Sequence, residues 1–175
     1  MNLLKSLKEY SDAQRSTSFY FIFFGISLLS LAGGTFFFQN NDPLINGMFW
    51  GSLLFGIFSI IIGIGYGKKH RILFYGAEVV YDKDKALFLR DETSRMEKVL
   101  IAYSTYQIIF IIILILVIGV IICFNNAFIS GICIAVSIHF SGFMIIQAIA
   151  RSSIKEYYIA LRDAHSSNFI LQDIE

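Results

Sequence analysis

The sequence predicts an all-α integral membrane protein in which four transmembrane helices form two antiparallel hairpins. Hydrophobic residues make up 56% of the 175 residues and charged residues only 15%, a composition typical of membrane chains. Four apolar stretches are each long enough to cross about 30 Å of hydrocarbon. All 14 Lys and Arg residues fall between or beside those stretches, in residues 1–17, 68–98 and 151–162.

The placement of the basic residues predicts a topology, because Lys and Arg are normally retained on the cytoplasmic side. Both termini and the central loop are therefore expected in the cytoplasm. The connections at residues 39–43 and 125–126 contain no basic residue and are expected on the translocated side. A bias towards Ile, Phe, Asn and Lys is typical of an AT-rich bacterial genome, so the predicted location is the cell inner membrane.

The first element is an amphipathic N-terminal segment, residues 1–17, which is too polar a lead for a secretory signal. Leu3, Leu7 and Tyr10 share one helical face, opposite charged side chains. Such a helix suits the inner membrane surface. A frayed tail is the alternative.

The four predicted spans cover residues 18–38, 44–66, 100–124 and 127–150. Turn-forming residues and the helix-starting Pro43 separate the first two spans. Asn125 and Asn126 separate the last two, and helices joined so closely are antiparallel neighbours. The tyrosines at the inner ends, among them Tyr66, Tyr103 and Tyr157, are interpreted as interfacial anchors.

The cytosolic loop, residues 67–99, contains two β-favouring runs on either side of the polar residues 82–85. This pattern predicts a β-hairpin within residues 77–90. Residues 91–99 favour a helix that continues into the third span. Residues 151–175 are predicted to form a cytosolic helical tail, so that residues 1–175 make a single membrane domain.

Small residues at helical spacing predict where the spans approach one another, because small side chains let helices pack closely in lipid. Those of the second span lie at steps of three and four, on one helical face. We expect this packing ridge to join the four helices within the chain; a subunit interface or a pore lining is the alternative. The ridge consists of Ser52, Gly56, Ser59, Gly63, Gly67, Gly131, Ala135 and Gly142.

His139 lies about half way along the fourth span, where ionisable residues are costly and are functional candidates by default. It suits a proton relay or a pH-sensitive gate. The favoured interpretation is a neutral imidazole that hydrogen-bonds a serine or a backbone carbonyl of a neighbouring helix, since no intramembrane carboxylate accompanies it. Gln147, Ser137 and Ser141 complete this candidate intramembrane polar site.

Lys68, Lys69 and Arg71 directly follow the second span and are predicted to contact lipid headgroups. The net charge of only +1 argues against nucleic acid as a partner. The sequence contains no HExxH, no GxSxG and no Gly-rich phosphate loop. It therefore predicts a non-enzyme without a cofactor or metal.

Two functions fit this architecture. One is a small homo-oligomeric channel or membrane-permeability sensor, gated from its cytosolic side. The other is a membrane-embedded binding module, such as an immunity or defence-system accessory protein, that captures a toxin or effector. A protein partner would contact residues 67–99 and 151–175. In size and topology the chain resembles small four-span proteins of bacterial defence and toxin antagonism.

The two functions make different structural predictions. A pore requires a symmetric ring with His139 and the small polar residues facing a lumen. A binding module is expected to be a compact monomer or dimer with those residues packed internally.

Overall fold

The computed structural model describes the backbone of residues 3–38 and 42–172, with side chains described as far as residue 166. It contains four helices: α1 (Leu3–Phe38), α2 (Pro43–Lys83), α3 (Lys85–Cys123) and α4 (Ala127–Gln172). They are 36, 41, 39 and 46 residues long, or about 54 to 69 Å. Each is about twice as long as the hydrocarbon core is thick.

Every helix contains a segment long and apolar enough to cross a membrane. The predicted all-helical fold with four apolar spans is thus confirmed, and by the length and composition of its helices the chain is a multi-pass membrane protein. The predicted spans are here called the membrane half. The helical parts beyond them, residues 3–17, 67–99 and 151–166, are called the head.

The predicted β-hairpin within residues 77–90 is wrong, because the described part of the chain contains helices and no strand. Within residues 77–90 the helix is interrupted only at Asp84, whose extended backbone ends α2 and begins α3. Its carboxylate accepts the Ala86 and Leu87 N–H groups, each at 3.0 Å, as an N-cap does. The physical reason is burial: helical geometry places Phe88 and Leu89 in the core of the head, whereas an isolated two-stranded hairpin would be marginal.

The N-terminal segment continues into α1 without a break. Its predicted apolar face exists, but Leu3, Leu7 and Tyr10 are buried against other helices of the head and not laid on a membrane surface. A helix continuous with a span points away from the membrane, so its apolar stripe can be covered only by neighbouring helices.

The turns between spans use side-chain caps. The Leu44 N–H donates to Asp42 Oδ1 at 2.9 Å, and Pro43 occupies the first turn of α2. The Ile129 N–H donates to Asn126 Oδ1 at 3.2 Å at the start of α4. These caps satisfy backbone donors that a helix start leaves free.

The helices α2 and α4 form the central pair of the bundle. The helices α1 and α3 each contact both of them, while the backbones of α1 and α3 do not meet along the described residues. All the buried residues of α3 lie in the head, and its membrane part exposes branched apolar side chains towards lipid.

The buried hydrophobic residues form two separate cores. The membrane core is small and centres on Phe21, Phe143 and Ile146. The core of the head is larger and draws on α1, α3 and α4. Its buried members are Leu3, Leu7, Tyr10, Phe88, Leu89, Met96, Ile154, Tyr157 and Leu161.

Candidate functional site

His139 lies in an aromatic pocket inside the membrane half and is only 1% exposed. Its ring is 4.2 Å from that of Phe143 and 4.6 Å from that of Phe55, measured between centroids. Three further phenylalanines, from α1, α2 and α4, surround it within 6.3 Å: Phe24, Phe58 and Phe140. An apolar enclosure of this kind disfavours the charged imidazolium.

The polar partner of His139 is Ser59 of α2, whose Oγ is 3.3 Å from His139 Nδ1. The Ser59 hydroxyl donates its single proton to the Phe55 carbonyl at 2.8 Å. The Ser59 oxygen therefore acts as the acceptor, and His139 donates from Nδ1–H. This network assigns the Nδ1–H of His139 to the Ser59 oxygen and links α4 to α2.

The other members of the candidate polar site do not join this pair. The Ser137 hydroxyl donates to the Cys133 carbonyl of its own helix at 2.9 Å, and Ser141 is exposed. Gln147 lies two turns nearer the head, and its Oε1 is buried without a hydrogen bond. These residues therefore do not form a continuous polar track with His139 in the described structure.

The packing ridge of α2 divides between two neighbouring helices. Gly56, Gly63 and Gly67 face α1: a Cβ added at Gly56 would lie 2.8 Å from the Leu29 side chain, and one at Gly67 would lie 2.6 Å from Ser18 Oγ. The Ser18 hydroxyl also donates to the Gly63 carbonyl at 2.7 Å. The α1–α2 contact is thus close enough for a side chain to bond the backbone of the other helix.

The ridge residues of α4 pack against the end of α2 that lies farthest from the head. A Cβ added at Gly131 would meet the Leu44 carbonyl, and one at Gly47 would meet the Phe128 carbonyl. A Cβ added at Gly51 would lie 2.6 Å from Ala135 Cβ. Sequence reasoning missed Gly47 and Gly51, although their spacing of four residues is itself a small-residue signal.

The last two ridge positions differ in burial. Gly142 is partly buried, and a Cβ added there would meet the Phe24 ring of α1. Ser52 is fully buried, and its hydroxyl makes no hydrogen bond. Most of the ridge is therefore covered by side chains and backbone of the same chain, whereas Gly67 and Gly142 stay partly exposed.

A polar girdle, formed by Gln14, Tyr66, Tyr103 and Ser153, crosses the bundle where the spans meet the head. The Gln14 amide donates to Ser153 Oγ at 3.0 Å, and its carbonyl oxygen accepts from the Tyr66 hydroxyl. The Tyr66 and Tyr103 hydroxyls are 2.7 Å apart. These two tyrosines, predicted as interfacial anchors, instead bond inside the bundle, and each of the four helices contributes one member.

A second polar group, the Glu92 cluster, lies in the head and consists of Tyr10, His70, Glu92, Arg95 and Tyr157. Arg95 donates to both carboxylate oxygens of Glu92, from Nε at 2.7 Å and from Nη2 at 2.5 Å. The Tyr157 hydroxyl, also inside the bundle, donates to Glu92 Oε1 at 3.3 Å. The Tyr10 ring stacks on that of Tyr157 at 4.7 Å. A buried carboxylate with these partners is held in one position.

Burial sets the protonation of the Glu92 cluster. It raises the pKa of the Tyr10 hydroxyl to about 12. Burial, with the nearby positive charges of Arg95 and Lys69, lowers the pKa of His70 to about 4. Burial opposes the charge on Arg95, but the hydrogen bonds and charge of Glu92 outweigh it and raise the pKa of Arg95. At neutral pH the cluster thus contains a neutral His70 beside the Glu92–Arg95 ion pair.

The predicted headgroup residues Lys68, Lys69 and Arg71 are exposed at the start of the head. Lys68 and Arg71 line a groove of about 480 Å³ between α1 and α2. Among the described residues no group of three His, Cys, Asp or Glu side chains is placed to hold a metal ion.

Comparisons with protein-family models, with curated proteins and with solved structures find no match.

Proposed function

We propose that this protein is a membrane-embedded binding module that captures a protein partner with its head. The single observation that carries the proposal is the inward packing of the intramembrane features. His139 is enclosed by five phenylalanine rings and bonded to Ser59. A fold that encloses its central histidine and covers most of its packing ridge within one chain favours a compact module over a subunit of a pore.

The head supplies a surface suited to a partner. Ile72, Tyr75 and Val79 are 72%, 54% and 53% exposed on α2. Their spacing of three and four residues places them on one helical face. Val79 lies 13 residues past the predicted end of the span, or about 20 Å. An exposed apolar patch outside the membrane is typical of a protein interaction site. This set of three residues is called the α2 stripe.

The charges beside the α2 stripe favour a particular kind of partner. Arg71 is exposed one turn before Tyr75 and Lys68 two turns before it, both on the membrane side of the stripe. The partner that fits best is an amphipathic helix with an acidic edge, laid along α2 with its apolar side on the stripe. By the retention of Lys and Arg on the inner side, the partner would be cytoplasmic. A toxin or effector neutralised at the membrane is the expected class.

A channel would require a different state of the same chain. His139 and the ridge would have to leave their contacts within the chain and line a lumen shared by several copies. Each such step would expose the Ser59–His139 pair and break close contacts between helix backbones, which are the main source of helix association in lipid.

Site-specific photo-crosslinking in cells tests the binding proposal. A photoreactive amino acid at position 75 is expected to give one discrete crosslinked protein, and the same residue at the exposed Lys98 of α3 is the matched control. Tyr75→Glu should abolish a crosslink formed from position 79. Equal labelling from positions 75 and 98 would contradict the proposal. So would ion flux through liposomes that contain only the purified chain.

A further inference from the structure

A second groove lies between α3 and α4, where the spans meet the head. It encloses about 730 Å³, and its lining includes Arg151, Lys155 and Arg162 of α4 and Ser104 of α3. Arg151 directly follows the predicted fourth span, so the groove opens at the level of lipid headgroups. Sequence reasoning placed headgroup contacts only at residues 68–71 and missed this groove.

The charge of the α3–α4 groove is entirely positive. Arg151, Lys155 and Arg162 are exposed, and no acidic residue is among the lining side chains. None of the three forms an ion pair within the described part of the chain. Their spacing of four and seven residues puts them on one face of α4. The α1–α2 groove differs in this respect, because Asp12 lies among its cations.

Arg151 is held in place by neutral groups only. Its Nη1 donates to Gln107 Oε1 and its Nη2 to Ser104 Oγ, each at 3.1 Å. These acceptors fix the guanidinium over α3 without neutralising its charge. A guanidinium has five N–H donors, so donors remain for an anion. The arrangement is a preformed site for a phosphate group.

The floor of the groove is apolar and continues into the membrane half. Ile101 and Ile159 are exposed within it. Towards the membrane, the same helices expose Ile108, Ile145 and Ile149. A ligand that fits has a phosphate at one end and hydrocarbon at the other.

We propose that the α3–α4 groove binds an anionic glycerophospholipid. Arg151 and Lys155, about 6 Å apart along α4, contact the phosphodiester, and the acyl chains follow the exposed isoleucines. Arg162 lies about 16 Å beyond Arg151, too far to contact the same phosphate, and adds positive potential at the end of the groove away from the membrane half. The site requires only a bilayer and is independent of the proposed protein partner.

Native mass spectrometry of the full chain, titrated with defined lipids, tests this site. We expect cardiolipin and phosphatidylglycerol to be retained and phosphatidylcholine of the same chain length to be lost. A cation near a membrane surface contributes about 1 kcal/mol, or about fivefold in affinity. The double variant R151Q/K155Q should therefore bind the first anionic lipid about 25-fold more weakly.

The matched control is K83Q/K85Q, which removes the same charge from exposed positions on either side of Asp84, away from both grooves. It should leave the affinity for the first lipid within about twofold of the parent. The double variant Ser104→Ala and Gln107→Ala keeps the charge of Arg151 but removes the two acceptors that hold its guanidinium. We expect a smaller loss of lipid affinity, about threefold to tenfold, because Arg151 is then no longer preorganised.

Four results would overturn the lipid site. One is equal retention of phosphatidylcholine. Another is an equal loss of affinity in K83Q/K85Q and R151Q/K155Q. The third is displacement of the lipid by millimolar inorganic phosphate, which would identify a site for a free anion. A photoreactive phosphatidylglycerol should label peptides around Ile101 and Ile159, and labelling confined to α1 and α2 would also contradict the proposal.

Discussion

The membrane half and the head use the same four helices but are held together by different contacts. In the membrane half, glycines bring backbones together, as at Gly131 against Leu44 and Gly63 against Ser18. In the head, large side chains such as Leu89, Met96 and Leu161 are fully buried. The difference follows from the surrounding solvent. Lipid provides no hydrophobic driving force for burying apolar side chains, whereas water does provide one.

The buried polar groups differ in the same way. The membrane half buries the His139–Ser59 hydrogen bond, and the head buries the Glu92–Arg95 ion pair. An ion pair near water can retain a partly solvated partner, and the Arg95 side chain is 30% exposed. A charge in the middle of a span has no such access. Four predictions test this contrast, starting from the largest expected effect.

Leu89→Ala should destabilise the head strongly. Leu89 is 1% exposed, and truncating a buried leucine costs about 2 to 5 kcal/mol. Thermal unfolding of the purified protein in detergent measures the loss. The matched control is Leu116→Ala in the membrane part of the same helix, where Leu116 is 63% exposed and almost no change is expected. Equal losses of stability in the two variants would contradict the contrast, because they would mean that large apolar side chains stabilise both halves alike.

Gly131→Val should destabilise the membrane half by about 1 to 3 kcal/mol, since a larger side chain must push α4 away from the Leu44 backbone. Gly119→Val is the matched control, because nothing lies within 4 Å of a Cβ added there. Resistance to unfolding by a denaturing detergent compares the two variants. Equal resistance would remove the argument for close helix approach at Gly131.

Lowering the pH should weaken the head through His70. Its pKa is lowered from 6.5 to about 4 in the folded chain, so the unfolded chain binds the proton more readily. Stability is therefore complete above pH 6.5 and is lost as the pH falls towards 4. Because His70 is partly exposed, the expected loss is only about 1 to 2 kcal/mol.

Unfolding midpoints measured between pH 7.5 and 4.5 test this slope. His70→Asn should flatten the part of the profile that His70 contributes. A slope unchanged by this substitution would assign the titration to another group.

The Ser59–His139 bond should contribute least. Hydrogen bonds between membrane helices average about 0.6 kcal/mol, and at 3.3 Å this one is long. A double-mutant cycle of Ser59→Ala and His139→Leu should give a coupling of that size. A coupling above about 2 kcal/mol would mean that the pair carries charge.

The sequence was sufficient for the spans and insufficient for the head. Long apolar runs and sorted cations determine where a chain crosses a membrane, and the four apolar helices agree with them. In residues 77–90 local β propensity pointed to a hairpin, but burial of Phe88 and Leu89 favours helices. Propensity in such short runs depends on the packing that surrounds them.

For the candidate site as well, the sequence predicted local features but not the contacts between distant segments. The position of His139 in a span predicted a polar partner in a neighbouring helix, but not which one, because no single-sequence signal pairs α2 with α4 at Ser59. The sequence did not predict the Glu92 cluster, because its members come from four separated segments. Taken alone, each member is typical of a solvated charge or of a tyrosine at a membrane interface. The spacing of small residues predicted the packing ridge of α2. It did not predict which ridge residues face α1 and which face α4.

The number of chains per particle in lipid nanodiscs tests the central claim most directly, which is that His139 and the packing ridge make their contacts within one chain. Single-molecule photobleaching of the fluorescently labelled full chain is expected to show one step, or two for a dimer. Rings of four or more chains, combined with loss of assembly in His139→Leu, would place His139 between subunits and contradict the account.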